Sequence, residues 1–279
     1  MIESNLLHET KKLLRDYNIR VNKKRGQHFL VDSNLLKREV EYSEIQSSDT
    51  VLEIGAGIGT LTSALAEKAG KVFAIEKDQN MVRVLNDKLS IFNNVEIILG
   101  DALKLEFPPV KKIVSNIPYS ISSPLTFKIL STIYERAVLT YQLEFAERLT
   151  ASPGTKNYGR ITVRVGYKTE VKLLEKIPRT AFYPPPKVDS AMVMLKPKPP
   201  PFEMLNEEEF FEMVRYLFMH PNKKAKHGVK YYLKDKISKG FSLSNLEFPP
   251  ELLEKRVRNL TLDEIKRIAD VLFSGSTNL

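Results

Sequence analysis

Between residues 50 and 142, short β-rich segments alternate with segments of helical periodicity. The β-rich segments are TVLEI (50–54), KVFAI (71–75), NVEIIL (94–99), KIVS (112–115) and AVLTYQ (137–142). Helical patterns lie between them at residues 60–69, 79–89 and 124–134. Strands that alternate with helices in this way form βαβ units with parallel strands. The sequence therefore predicts an α/β fold with a doubly wound, mostly parallel sheet.

The pattern changes after residue 142. Two β-rich runs, RITVRVGY (160–167) and SAMVMLKP (190–197), have no long helix between them and predict antiparallel strands at the edge of the sheet. The proline cluster KPKPPP (196–201) is typical of a linker, and helical patterns follow it. We therefore predict an N-terminal extension (1–22), an α/β domain (23–197) and a smaller C-terminal helical domain (202–279).

Residues that the chain lacks exclude several kinds of site. It has no cysteine, so it can form neither a disulfide framework nor a zinc–thiolate cluster. Its four histidines are not spaced as metal ligands, and we predict no metal site. The N-terminus lacks the apolar region of a signal peptide, and no run of about 18 apolar residues occurs. We expect a cytoplasmic protein with no membrane partner.

The charge of the chain favours a polyanionic partner. Lys and Arg exceed Asp and Glu by 43 − 34 = 9, and such a surplus suits neutralisation of phosphates. Seven lysines fall within 17 residues of the helical region, at positions 223, 224, 226, 230, 234, 236 and 239. This cluster is either a solvated helix face or a surface that binds nucleic-acid phosphates.

The segment EIGAGIGT (53–60) is a strand followed directly by a glycine-rich turn. Gly55, Gly57 and Gly59 allow the backbone to approach a ligand at the carboxyl edge of the sheet. Dinucleotide sites have glycine one position later, where this chain has Thr60. The spacing therefore favours a nucleoside ligand without a pyrophosphate, although a plain tight turn is the alternative.

Two acids end the next strands. Glu76 lies 76 − 55 = 21 residues after Gly55, where a carboxylate can accept hydrogen bonds from both ribose hydroxyls. Asp101 ends the third strand and could accept from an adenine amino group. The alternatives are a helix-capping role for Glu76 and, for Asp101, an N-cap of a helix starting at Ala102. We assign Glu76, Asp101 and Ala102 to a nucleoside-binding crevice together with the glycines.

At the fourth strand end lies Asn116-Ile117-Pro118-Tyr119. An exocyclic aromatic amine is a poor nucleophile, and two oxygen acceptors would hold its hydrogens out of the ring plane. The Asn116 side-chain carbonyl and the Ile117 backbone carbonyl can serve, while Pro118 fixes the backbone and Tyr119 offers a stacking face. The motif predicts alkylation of an aromatic amine by positioning and electrostatics. The alternative is a proline-containing turn capped by Asn116.

Together these motifs resemble those of the small-subunit ribosomal RNA adenine N6,N6-dimethyltransferases. Two further segments carry the resemblance: KKRGQHFLVD (23–32) and AFYPPPKVDSAMV (181–193). The segment YQLEFAERLTASPGTKNYGRITV (141–163) resembles archaeal and eukaryotic members. The resemblance implies a Rossmann-like class I methyltransferase fold with S-adenosyl-L-methionine as cofactor.

The resemblance also implies roles for individual residues. Gln27, His28 and Leu30 would close over the methionine and ribose portions of the cofactor. Gly55 would contact the methionine portion, Glu76 the ribose and Asp101 the adenine. Gly57 and Ala102 would also bind the cofactor. Asn116 would lie at the reaction centre. Phe182 would stack on the target adenine opposite Tyr119.

The implied activity is dimethylation of N6 of two adjacent adenosines near the 3′ end of small-subunit ribosomal RNA during ribosome assembly. The partner would be that RNA or the precursor subunit, bound by a monomer through its C-terminal domain. Three alternatives stay open. They are dimethylation of large-subunit RNA, methylation of DNA adenine, and a mainly non-catalytic role in ribosome assembly or transcription.

Overall fold

A computed structural model describes residues 6–21, 26–204, 206–238 and 246–274. The chain forms two units: the first combines Met1–Ala146 with Glu170–Lys198, and the second combines Glu147–Thr169 with Pro199–Leu279. The sequence-based division placed all of residues 147–169 in the α/β domain. The structure therefore differs from it for this segment, and the functions assigned to the domains stay predictions.

Helices and strands alternate through most of the first unit. In chain order these are α1 (Leu6–Asp16), β1 (Phe29–Leu30), α2 (Ser33–Tyr42), β2 (Thr50–Ile54), α3 (Thr60–Ala66), β3 (Lys71–Glu76), α4 (Gln79–Lys88), β4 (Val95–Leu99), β5 (Lys112–Asn116), α5 (Ser122–Ile129) and β6 (Arg136–Gln142). After them come α6 (Leu143–Leu149), α7 (Arg160–Lys168), β7 (Thr169–Ile177), β8 (Phe182–Tyr183), β9 (Ser190–Pro197), α8 (Glu207–Leu217), α9 (Ala225–Ser238), α10 (Pro250–Glu254) and α11 (Leu262–Ser274).

The main sheet of the described residues has the strand order β4-β3-β2-β5-β6-β9-β7. Strands β2 to β6 pair in parallel, and β9 runs antiparallel to β6. The chain moves outward from β2 to β4 and then returns to β5 on the other side of β2. Ligands of open α/β sheets bind at such a switch point, outside the carboxyl ends of the strands. The predicted fold, a mostly parallel sheet with an antiparallel edge, is confirmed.

The central strands are apolar on both faces. Val51, Leu52, Val114 and Val138 are fully buried. Strands of a parallel sheet covered by helices on both sides have continuous apolar sequences of this kind. All five strands predicted between residues 50 and 142 are present within one residue of their predicted bounds.

The predicted strand at 160–167 is wrong, because this segment forms α7. The Gly159 N–H donates to Thr162 Oγ1 at 3.1 Å at the start of the helix. Val163 and Tyr167, four residues apart, both lie in the buried core of the second unit. Packing of this helical face outweighs the β-branched composition that predicted a strand. The sheet instead receives β7, which the sequence analysis did not predict.

The second unit is built on aromatic packing and a buried ion pair. The Tyr167 ring centroid lies 5.5 Å from that of Phe211, and Phe210 is fully buried. Lys236 is only 5% exposed, and its Nζ donates to Glu209 Oε2 at 2.7 Å. The helical region predicted after residue 202 is confirmed, and it contains α8, α9, α10 and α11. Lys236, however, belongs to the interior of the unit and not to its surface.

Candidate active site

A cavity of about 590 Å³ opens at the carboxyl ends of the strands on either side of the switch point. Its size suits a nucleoside-containing ligand. The nine residues predicted to bind the cofactor all line it: Gln27, His28, Leu30, Gly55, Gly57, Glu76, Asp101, Ala102 and Asn116. Segments that are up to 89 residues apart in the sequence thus meet at one site, as the strand-end argument predicted.

The glycine turn after β2 adopts backbone angles that side chains disfavour. Gly55 has φ +81° and Gly57 has φ +57°. A Cβ at Gly55 would lie 3.1 Å from Pro118 Cγ, and one at Gly57 would lie 3.1 Å from Phe29 Cε1. The positive φ angles therefore favour glycine at both positions, and a Cβ at either one would make a tight contact.

Glu76 fixes this turn to the end of β3. Its Oε2 accepts from the Gly57 N–H at 2.8 Å, and its Oε1 accepts from the Lys77 and Asp78 N–H groups, each at 2.8 Å. Burial raises the pKa of Glu76, although these three hydrogen bonds oppose the rise. Because Oε2 has one protein donor, it keeps capacity to accept from a ligand hydroxyl.

Asp101 lies at the end of β4. It accepts from Lys77 Nζ at 2.7 Å and from the Leu103 N–H at 3.0 Å. The ammonium of Lys77 lowers the pKa of Asp101. Residues 102–104 form a turn, so the alternative interpretation of Asp101 as the cap of a helix at Ala102 is wrong.

Asn116 is the last residue of β5, and it lines the cavity. Its Nδ2 donates to Glu39 Oε2 at 3.2 Å. Its Oδ1 is buried and has no hydrogen-bond partner among the described residues. The next residue, Ile117, is buried, and its N–H donates to the Thr140 carbonyl at 3.1 Å. The Asn116 side chain is therefore held through Nδ2, and its Oδ1 stays available as a hydrogen-bond acceptor.

Tyr119 and His28 pack together beside this strand end. Their ring centroids are 5.7 Å apart with an interplanar angle of 28°. The Tyr119 hydroxyl hydrogen-bonds Ser190 Oγ at 2.6 Å, and His28 Nδ1 lies 2.7 Å from the Pro184 carbonyl oxygen. Burial raises the pKa of Tyr119, so its hydroxyl stays protonated. The Asn116–Tyr119 motif therefore contacts the segments 23–32 and 181–193, both of which carried the resemblance, through Tyr119.

The chain matches the family model for ribosomal RNA adenine dimethylases over residues 18–270. It belongs to that family. Curated relatives agree with this assignment along almost the whole dimethylase. A probable ribosomal RNA small subunit methyltransferase A of Thermococcus sibiricus is 46% identical over 272 residues, 95% of this chain and 96% of the relative. A protein of the same name from Methanosarcina barkeri is 44% identical and covers 96% of this chain and 93% of its own length.

Solved structures give the same result. A dimethyladenosine transferase from Plasmodium falciparum has a TM-score of 0.74 and 32% identity, covering 88% of this dimethylase and 97% of that chain. The 23S rRNA methyltransferase ErmE has a TM-score of 0.66 and 29% identity, covering 88% and 99%. The family resemblance inferred from the motifs, with its archaeal character, is confirmed.

Three residues to which the sequence analysis gave catalytic roles do not line the cavity in the described structure of the dimethylase: Ile117, Tyr119 and Phe182. Phe182 is 4% exposed and packs with Leu30 and Met192. Its partner in the two-stranded β1–β8 sheet is Leu30, which does line the cavity. The stacking of an adenine on Phe182 stays a prediction. Part of KKRGQHFLVD (residues 23–25) and Lys239 lie outside the described residues.

Sequence reasoning missed two buried acids at the site of the dimethylase, Glu39 on α2 and Glu53 on β2. Burial raises the pKa of Glu39 to about 7 and that of Glu53 to about 8. Glu53 lines the cavity, and its Oε2 has no hydrogen-bond partner among the described residues. A signal was present in the sequence, because Glu39 follows Leu35 by four residues on the apolar face of α2.

The described residues contain neither a candidate metal centre nor a helix that could span a membrane. Within the described ranges, no three side chains of His, Asp or Glu are grouped so that they could hold a metal ion. No helix in the part of the chain that the structure describes combines the length and apolar content needed to span a bilayer.

Proposed function

We propose that this dimethylase transfers two methyl groups from S-adenosyl-L-methionine to N6 of each of two adjacent adenosines near the 3′ end of small-subunit ribosomal RNA. The observation that carries the proposal is the buried, unpaired Asn116 Oδ1 beside a nucleoside-sized cavity. The names of the curated relatives support the small subunit as substrate.

The residues around the cavity fit S-adenosyl-L-methionine. Glu76 Oε2 can accept from a ribose hydroxyl, and Asp101 can accept from the adenine amino group. Glu53 Oε2 is a buried acceptor without a protein donor in the described chain, and it can accept from the ammonium group of the cofactor. We assign Gln27, His28 and Leu30 to the side that closes over the cofactor.

The protein contributes positioning to the reaction. S-adenosyl-L-methionine would supply a methyl group from its sulfonium centre. The rest of the cofactor would then leave as a neutral thioether. The N6 lone pair forms the new C–N bond while the electrons of the broken C–S bond stay on sulfur, and N6 then loses one proton to water. Asn116 Oδ1 accepts from an N6 hydrogen and stabilises the positive charge that develops on N6. Because the monomethylated amine retains one N–H, the same acceptor serves the second transfer.

Fewer lysines of the second unit are available to contact RNA phosphates than the lysine cluster in the sequence suggested. Lys224 and Lys226 both pair with Glu254, at 2.5 Å and 2.6 Å. Since Lys236 is buried, three members stay exposed without an ion pair in the described chain: Lys223, Lys230 and Lys234. Lys230 and Lys234 lie one turn apart on α9. We propose that these three lysines contact RNA phosphates.

Replacing Lys230 with Gln is expected to weaken RNA binding about three- to fivefold near physiological salt, whatever the RNA sequence. The physical reason is loss of one phosphate contact, so the slope of log affinity against log salt should fall by about one. The matched control is Lys68→Gln, an exposed lysine after α3 on the sheet edge away from the cavity. An equal loss in both variants, or an unchanged salt slope in Lys230→Gln, would contradict the assignment.

The activity is tested with methyl-labelled S-adenosyl-L-methionine and ribosomal subunits from cells that lack the modification. Small and large subunits are incubated separately, and the labelled nucleosides are identified and mapped after RNA digestion. We expect N6,N6-dimethyladenosine in the 3′-terminal hairpin of the small-subunit RNA. Label confined to the large subunit would favour the alternative that the ErmE likeness raises. Cofactor binding without any label would oppose the proposed activity.

A further inference from the structure

Glu39 is an acid in the interior of the first unit. Its side chain is fully buried between α2 and the sheet, and no cation pairs with it among the described residues. A buried carboxylate without a cation is destabilising unless hydrogen bonds compensate, and an apolar residue of similar size would pack the same helix face more favourably. Its presence at this position is therefore not explained by stability.

The hydrogen bonds of Glu39 converge on one residue pair of the neighbouring strands β5 and β6. Oε2 accepts from Asn116 Nδ2 at 3.2 Å, and Oε1 accepts from Thr140 Oγ1 at 3.2 Å. Asn116 and Thr140 are register partners in the sheet, so both side chains reach the same face towards α2. One carboxyl group thus bridges β5 and β6 at Asn116, which lines the cavity.

The consequence concerns the two ends of the Asn116 amide. Nδ2 is a donor and Oδ1 an acceptor, and rotation of the amide by half a turn exchanges their places. An ionised carboxylate accepts only, so it holds Nδ2 on its own side and leaves Oδ1 free. The reversed amide would present N–H groups to an amine that itself donates, which is a repulsive arrangement.

We propose that Glu39 is a positioning residue that fixes the orientation of the Asn116 amide, so that Oδ1 and not Nδ2 meets the target N6 amine. Glu39 is not among the residues that line the described cavity, and it acts through Asn116. The inference rests on the proposed function for its catalytic consequence, but the orientation of Asn116 can be measured without RNA.

The same contact makes the site sensitive to pH. Burial raises the pKa of Glu39 to about 7, while the hydrogen bonds from Asn116 and Thr140 oppose the rise. A protonated Glu39 can donate to Asn116 Oδ1 and withdraw the acceptor. Glu53 on β2 interacts electrostatically with Glu39. Burial raises the pKa of Glu53, and the negative charges of Glu39 and Glu76 raise it further. We expect turnover to rise as pH increases through about 7.

The test compares Glu39→Leu with Glu39→Gln. Leu removes the acceptor, and we expect kcat to fall by about tenfold or more at pH above 7.5 with cofactor affinity within about twofold. Gln can accept from Asn116 Nδ2 but can also donate to Oδ1, so it fixes the amide less firmly, and kcat should fall between those of wild type and Glu39→Leu. The pH profile of Glu39→Gln should lack the rise near 7. Glu41→Leu, an exposed acid on the same helix, is the matched control and should behave as wild type.

Thermal unfolding separates positioning from a structural role. A structural residue would lose melting temperature and turnover together. Glu39→Leu should instead keep a melting temperature close to that of wild type at pH 8, because removal of the buried charge offsets the loss of its two hydrogen bonds. Wild-type kcat in Glu39→Leu, or a fall in kcat that follows a fall in stability, would overturn the proposal.

The second readout is the NMR signal of the Asn116 side-chain amide. In wild type its shift should titrate with a midpoint near 7, and in Glu39→Gln the titration should be absent, while Glu53→Gln should retain it. An amide signal that does not titrate in wild type would contradict the proposal. Titration in a protein that methylates no RNA would instead uphold the orientation and refute the proposed function.

Discussion

Replacing Asn116 with Ala is expected to lower kcat by about 10²- to 10³-fold while S-adenosyl-L-methionine affinity stays within about twofold. The substitution removes Oδ1, the buried acceptor that has no partner in the described protein. An acceptor used mainly in the transition state contributes to kcat and little to ground-state binding. Single-turnover methylation of the RNA substrate, with cofactor affinity measured by calorimetry, checks both halves of the prediction.

Asn116→Asp is the informative companion variant. It keeps an oxygen at the position of Oδ1 but places a second carboxyl group beside Glu39, where Asn116 Nδ2 now lies 3.2 Å from Oε2. Two carboxyl groups at that distance share a proton, so one pKa rises strongly. We expect turnover between those of wild type and Asn116→Ala, with a steeper dependence on pH. Normal turnover in Asn116→Ala would refute the role of this side chain.

The strands and the residues that meet at the cavity could be predicted because each depends on a local pattern with a simple geometric consequence. A largely apolar run such as residues 50–54 can be buried on both faces, and parallel strands end at one edge of a sheet. Glu76 and Asp101 needed only that rule to be placed beside Gly55. No tertiary contact beyond the sheet itself was required.

The failures involve contacts that the sequence does not reveal. Residues 160–167 have a β-branched composition, but the packing of Val163 and Tyr167 against the second unit's core makes them helical. Lys236 and Lys230 are both lysines of α9, and contacts with Glu209 and Glu212 make Lys236 a buried ion-pair partner while Lys230 is exposed. Such partners lie more than 20 residues away in the chain.

Glu39 illustrates a failure of a different kind. Its position on the apolar face of α2 was visible from Leu35 and Val40, both buried. Its meaning was not, because Asn116 lies 77 residues further along the chain. A charged residue at an apolar position indicates that a polar group faces it, but the sequence does not say which one.

Replacing Glu76 with Ala is expected to reduce S-adenosyl-L-methionine affinity by about 100-fold or more. The carboxylate does two things at once in the proposed site. It offers an acceptor to the ribose, and it holds the glycine turn by accepting from the Gly57 N–H at 2.8 Å. Removing it leaves three backbone N–H groups without their acceptor, those of Gly57, Lys77 and Asp78. Calorimetric titration with the cofactor measures the loss.

The control for Glu76→Ala is Lys77→Ala, because it changes the adjacent side chain and leaves the backbone donors in place. Lys77 is exposed, and its side chain pairs with Asp101 at 2.7 Å. An exposed ion pair contributes at most about 1 kcal/mol, so cofactor affinity should change less than about fivefold. Equal losses in the two variants would show that the local charge, and not the fixed carboxylate, determines affinity.

Glu76→Ala and Asn116→Ala together separate binding from chemistry. Glu76 lies at the end of β3 and Asn116 at the end of β5, on opposite sides of the switch point beside β2. The first variant should lose cofactor affinity, and the second should lose turnover with the cofactor still bound. If Glu76→Ala instead bound the cofactor normally and lost only turnover, the ribose would lie elsewhere in the cavity. The direction in which the cofactor lies across the strand ends would then have to be reversed.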